Sequence, residues 1–152
     1  MKTTTRIPLL LVALLALISA GCRSFERDWS AAAGIPIPPG DPLGGRWIGT
    51  WQNTNNAHGG DLRAIVPPPD SSRRTVRFFA TWAGHSGSFT SPLQVTQTGD
   101  TATFVGRRRI LGFLITTRGQ AGHGRFDATY QSVFDNGTFT LRRVESPSTD
   151  GR

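Results

Sequence analysis

Hydrophobic positions are distributed in two unlike ways along this 152-residue chain. Residues 7–18 (IPLLLVALLALI) form an almost unbroken apolar run. Beyond residue 44, apolar residues recur at every second position, in short bursts divided by Gly, Pro, Asn and Asp. Such alternation is the mark of half-buried strands, whose successive side chains point to opposite faces. Eight segments fit it: 46–52, 60–66, 74–82, 87–97, 101–110, 113–121, 125–134 and 138–144. Three alternate cleanly. Val76, Phe78, Ala80 and Trp82 share one face of the third segment; Phe126, Ala128, Tyr130, Ser132 and Phe134 share one of the seventh; Phe139, Leu141 and Arg143 share one of the eighth. No helical stripe interrupts residues 45–144, and the pattern predicts an all-β domain.

Turn chemistry adds registers. Thr98-Gly99-Asp100-Thr101 reads as a hairpin that pairs Val95 with Phe104 and Leu93 with Gly106. Asp135-Asn136-Gly137-Thr138 places Asn-Gly in a two-residue turn and pairs Phe134 with Phe139 and Tyr130 with Arg143. Connections this short pair neighbours in sequence, so the expected architecture is an eight-stranded antiparallel up-and-down β-barrel, closed so that no edge strand is left open.

The first strand, Gly45-Arg46-Trp47-Ile48-Gly49-Thr50-Trp51, resembles the Gly-x-Trp opening of the calycins, the superfamily of lipocalins and fatty-acid-binding proteins. The whole pattern also resembles an uncharacterised group of small secreted bacterial proteins with a Gly-x-Trp-x-Gly-x-Trp start and an Asn-Gly end. In calycins an Arg on the last strand packs over the first-strand Trp. The strand parity puts Arg143, rather than Arg142, on the inward face, so Trp47 and Arg143 are the expected closing pair, with a cation–π contact of about 0.5–2 kcal/mol. The likeness implies a lipocalin-like cup for an apolar ligand. Bulky inward positions (Trp51, Phe78, Trp82, Phe104, Tyr130, Phe134) alternate with small ones (Gly49, Ala64, Ala80, Ala102, Gly106, Ala128, Ser132), which fits a solid core as well as a cup, and the short strands favour the solid core.

Ahead of this domain, Lys2 and Arg6 precede the apolar run, and small residues Ser19-Ala20-Gly21 follow it. That order is the pattern of a secretory signal peptide, and the run is shorter than the ~20 residues a bilayer span needs. Ile18-Ser19-Ala20-Gly21-Cys22 resembles the lipobox of bacterial lipoproteins, although Ser19 stands where Leu is usual. The resemblance implies removal of residues 1–21 and acylation of Cys22, which anchors the protein to a membrane. Arg23 after the Cys, by the same likeness, implies the outer membrane of the cell envelope. Residues 22–44, with four prolines, read as a flexible lipidated tether, and 145–152 as a polar tail.

Composition changes the picture in three ways. A single Cys excludes a disulfide framework. After loss of Lys2 and Arg6, fifteen Arg stand against ten acids, a net charge of +5. The export signal argues against nucleic acid as the partner of that charge. Arg107-Arg108-Arg109 is the densest charge run, with Arg73, Arg74 and Arg77 next; it reads as a solvated strand end or as a surface for anionic lipid or a cell-wall polymer.

Parts for catalysis or metal binding are scarce. The meander puts His58 and His85 at one end and His123 at the other, so they read as turn residues, and no metal or cofactor is expected. Gly84-His85-Ser86-Gly87-Ser88 nearly matches a nucleophile elbow but no helix follows it. The only carboxylates of residues 45–144 are Asp61, Asp70, Asp100, Asp127 and Asp135, which form no obvious pair. The chain therefore reads as a non-enzymatic lipoprotein. Its barrel would hold a small apolar or amphiphilic ligand against Trp51, Phe78, Trp82, Phe104 and Tyr130, with Arg108 at the rim for an anionic head. The alternative is a structural envelope lipoprotein with a solid barrel and an Arg-rich surface.

Overall fold

The computed structural model describes residues 23–70, 72–110 and 112–145, with Ile110 described in its backbone only. Eight strands follow in order: β1 (Gly45–Asn53), β2 (Gly59–Val66), β3 (Arg73–Trp82), β4 (His85–Thr98), β5 (Thr101–Ile110), β6 (Phe113–Gly122), β7 (Arg125–Gln131) and β8 (Asn136–Arg143). Each pairs antiparallel with the next, and β8 pairs back onto β1, so the sheet is a closed up-and-down barrel. This is the all-β architecture that the alternation predicts. Inward positions carry the core, from Trp47, Leu62, Ala64, Val76 and Phe78 round to Phe126 and Leu141. Outward positions are rich in Thr, Gln and Arg, the reverse of the lipid-facing band of a membrane-spanning barrel.

The β4–β5 hairpin has the register read from Gly99-Asp100: Val95 opposes Phe104 and Leu93 opposes Gly106. Ala83-Gly84 and His123-Gly124 form two further tight turns, with positive φ at both residues of each, as a two-residue turn of the primed class requires.

The last hairpin differs from expectation. β7 stops at Gln131, which pairs with Asn136, and Ala128, not Phe134, opposes Phe139. Residues 132–135 make the loop. There the Ser132 hydroxyl accepts from the backbone N–H of Asp135 at 3.0 Å, and the Ser132 N–H donates to the Asp135 carbonyl at 2.7 Å. Asn-Gly lies inside β8 because Gly137 is needed for close approach, not for a turn: a Cβ there would lie 2.1 Å from the Gln52 carbonyl oxygen and 2.6 Å from the Tyr130 ring. Partners move by six positions, an even number, so Phe126, Ala128 and Tyr130 still face inward with Phe139 and Leu141. Phe134 and Ser132, expected inside, lie in the loop instead.

The segment expected to be a flexible tether is the second correction. Residues 23–32 form a helix, α1, laid across the outside of β2 and β3. Phe25, Trp29 and Ala32 fall at i, i+4 and i+7, a helical stripe. Phe25 is fully buried against Phe79, with ring centroids 5.1 Å apart. The Arg63 guanidinium sits 5.1 Å from the Phe25 ring, 5.3 Å from Trp29 and 4.7 Å from Phe79, and pairs with Glu26. Arg77 pairs with Asp28 and donates to the Ser24 hydroxyl at 2.6 Å. Sequence residues 1–21, Cys22 and the tail beyond residue 145 lie outside the described residues.

Candidate functional site

The two ends of the barrel are built differently. At the end where β1 begins and β8 finishes, Trp47 and Arg143 are direct cross-strand partners, and the guanidinium carbon lies 4.8 Å from the indole centroid. Both then reach the segment before β1. The indole N–H donates to the Leu43 carbonyl at 2.9 Å, and Arg143 donates to the carbonyls of Pro42 at 2.6 Å and Asp41 at 3.2 Å. Leu43 is thereby drawn into the core, where it is fully buried.

Asp41 completes the seal. Its carboxylate accepts from both terminal nitrogens of Arg74, at 2.8 and 3.0 Å, and both side chains are almost wholly buried. Burial pushes the Asp41 carboxyl up. The hydrogen bonds from Arg74 and from the backbone N–H groups of Leu43 and Gly44 outweigh it and leave the carboxyl below its ordinary value. Gly44 has to be glycine here, because a Cβ would lie 2.3 Å from the Asp41 oxygen. Burial lowers the Arg143 guanidinium and Asp41 partly restores it; a group that titrates so high stays charged.

The opposite end is open. Inside it a cup of about 180 Å³ is lined by Trp51, Leu62, Ala80, Phe89, Ser91, Arg108, Ile115, Thr117, Tyr130, Asp135 and Phe139. Its apolar wall comes from Trp51, Phe89, Ile115 and Phe139, and its polar lining includes the buried Ser91 and Thr117, which lie deeper along β4 and β6 than Phe89 and Ile115. The Trp51 indole is fixed by a 2.9 Å bond to the Thr81 carbonyl. Arg108 donates from one terminal nitrogen to the Thr90 hydroxyl at 2.7 Å, while its buried Nε has no hydrogen-bond partner. Across from it, Tyr130 donates to Asp135 at 3.3 Å, and the other Asp135 oxygen accepts from the Asn53 amide. Burial pushes the Tyr130 phenol up, and the adjacent Asp135 carboxylate adds to the shift, so Tyr130 stays neutral.

Sequence-predicted lining residues divide accordingly. Trp51, Tyr130 and Arg108 face the cup together. Phe104 does not: it is buried toward the sealed end, its ring 4.8 Å from Phe126. Phe78 is core beneath the cup, stacked on Phe89 at 5.2 Å. Trp82 has the inward parity but sits at the rim, 43% exposed. Asp135 and Asn53 went unread as site residues because their role depends on the β7–β8 loop, whose register the Asn-Gly pair disguises. Arg74, read with Arg73 and Arg77 as a solvated or lipid-facing charge, is instead buried against Asp41, a partner 33 positions away that no local signal reveals. His58 and His85 belong to the open end and His123 to the sealed one. Among the described residues, no three His, Cys, Asp or Glu side chains gather where they could hold an ion.

A larger hollow, about 760 Å³, lies on the outer face across β8, β1, β2 and β3, floored by Ile48 and Phe79 and open to solvent. It is a furrow of the sheet surface rather than an enclosed site. Neither protein-family models nor curated proteins match the chain. The closed eight-stranded barrel is compatible with a calycin-like fold.

Proposed function

We propose that the protein is a cell-envelope lipoprotein, acylated at Cys22, whose barrel holds a small amphiphilic molecule in its open cup without transforming it. The observation that carries this reading is the cup itself: a largely apolar chamber with one cationic side chain, Arg108, whose buried Nε is unpartnered, and one carboxylate, Asp135, whose oxygens are already held by Tyr130 and Asn53. An unmade hydrogen bond at a buried cation favours an anionic group. At about 180 Å³ the chamber falls below the ~300 Å³ of ordinary ligand pockets. It therefore suits a small carboxylate, or one end of a longer amphiphile whose remainder stays outside. The lipid anchor rests on the lipobox likeness of residues 18–22, and the outer-membrane address on Arg23 after it.

Calorimetric titration with octanoate tests the cup. Binding is expected, and Arg108→Gln should weaken it by about tenfold, the worth of a charge-assisted hydrogen bond. Absence of octanoate binding, together with a native mass spectrum free of any co-purified ligand, would instead favour a structural lipoprotein with a filled barrel, the reading that the small chamber itself supports. Acylation has its own measurement: palmitate labelling of the expressed full chain, abolished by Cys22→Ser.

A further inference from the structure

The two ends of the barrel differ in a second respect, unrelated to what the cup contains. The described turn residues at the sealed end are prolines (Pro67 to Pro69), Asp70, Ser72, or the tight pairs Gly99-Asp100 and His123-Gly124. At the open end, by contrast, large apolar side chains stand in solvent. Phe113 is 45% exposed, Leu114 44%, Val133 77% and Phe134 74%. Phe113 and Phe134 come from different hairpins yet meet edge to face, with centroids 4.8 Å apart, so the two rings form a preassembled apolar tip, with Leu114 and Val133 beside them in sequence. Trp82 projects from a third hairpin on the same rim.

Directly behind the tip lies the arginine run. Arg109 pairs across the hairpin with Leu114, and Arg107 with Thr116. Among the described residues no carboxylate forms an ion pair with Arg107, Arg108 or Arg109. An exposed aromatic-aliphatic tip backed by unneutralised guanidinium groups matches the boundary of an anionic bilayer, where apolar groups enter the acyl margin and cations meet phosphates.

The start of the described chain points the same way. The first turn of α1 touches Phe79, in the half of β3 nearer the open end, and Arg77 at mid-strand. Its last turn and the residues after it lie beside Ile65, Val66 and Pro67, at the sealed end. Residue 23 thus begins on the open-end side.

We infer that the open rim docks on an anionic lipid bilayer through Phe113, Leu114, Val133 and Phe134, with Arg107 and Arg109 on the phosphates. This deepens the lipoprotein reading, in that an anchor at Cys22 and the apolar tip would meet one and the same surface. The contact itself does not need the anchor, which makes the two separable.

The test uses the chain from residue 22 onward with Cys22→Ser, which retains every interaction described above and carries no lipid. Its sedimentation is measured with vesicles of phosphatidylcholine alone and with about one-third phosphatidylglycerol. Binding to the anionic vesicles is expected, weaker by about tenfold or more in Phe113→Ser/Phe134→Ser and in Arg107→Gln/Arg109→Gln. Near-UV circular dichroism checks that both variants keep the fold. Failure to bind anionic vesicles, equal binding to neutral ones, or binding unaltered in the first double variant would overturn the proposal. So would self-association in place of vesicle binding, lost in that same variant, since it would make the tip a protein contact. None of these outcomes bears on acylation of Cys22, and loss of palmitate labelling would leave the vesicle result standing.

Discussion

The residues that seal the barrel act through what they hold rather than through the pair they form. A cation–π contact at 4.8 Å between Arg143 and Trp47 is modest by itself, but each partner also fixes a carbonyl of residues 41–43. Replacing Arg143 by Met keeps its aliphatic bulk and removes its hydrogen bonds, and should cost about 2 kcal/mol in urea unfolding. Asp41 and Arg74 behave differently, because each is a buried charge. Asp41→Asn leaves Arg74 buried and unpaired, an expected loss of about 3–5 kcal/mol, whereas Asp41→Leu with Arg74→Met should recover much of it. The pH dependence follows from the depressed carboxyl of Asp41. Its contribution is complete above the unfolded value of about 3.9 and disappears as pH falls through the lower folded value. Denaturation midpoints of the wild-type chain and Asp41→Asn should therefore differ by a constant amount near neutrality and converge in acid.

At the scale of elements, the strands were legible from the sequence and two other pieces were not. Alternation such as Val76-Phe78-Ala80 has a period of two that only a strand satisfies, and Gly99-Asp100 sets the register of β4 on β5 locally. The Asn136-Gly137 pair misleads because glycine answers two needs alike, a tight turn or a close approach of backbones. Here the approach of Gln52 decides, a contact between β1 and β8 that no local signal reveals. A consequence is that Phe134 has no cross-strand partner and its ring meets the exposed Phe113 ring, so Phe134→Ser should cost no more than about 1 kcal/mol, where a cross-strand partner of Phe139 would lose far more. Helix α1 hides for another reason. Ten residues hold a single apolar stripe, and the prolines that follow resemble a linker. The signal was Phe25, Trp29 and Ala32 at helical spacing. Phe25→Ala should destabilise the whole domain by about 3 kcal/mol, an effect that a free tether could not have.

For the whole molecule, polarity is reversed relative to a membrane-spanning barrel, with Thr and Arg outside and aromatic residues within. The same closure that buries Leu43 under Trp47 also separates the two ends in character. One is locked by an ion pair and carbonyl bonds; the other carries an apolar rim, an arginine run and a small chamber. The cup's position was legible as the inward parity of Trp51, Tyr130 and Arg108, but its size was not, since volume depends on how Phe78, Phe89 and Phe139 stack beneath it.

The plug made by residues 41–43 has one further consequence. A cylinder stoppered at its base is a cul-de-sac: anything admitted turns round and departs by the door it used. Such a vessel can store, shield or hand back a guest, but it cannot serve as a conduit from one compartment to another.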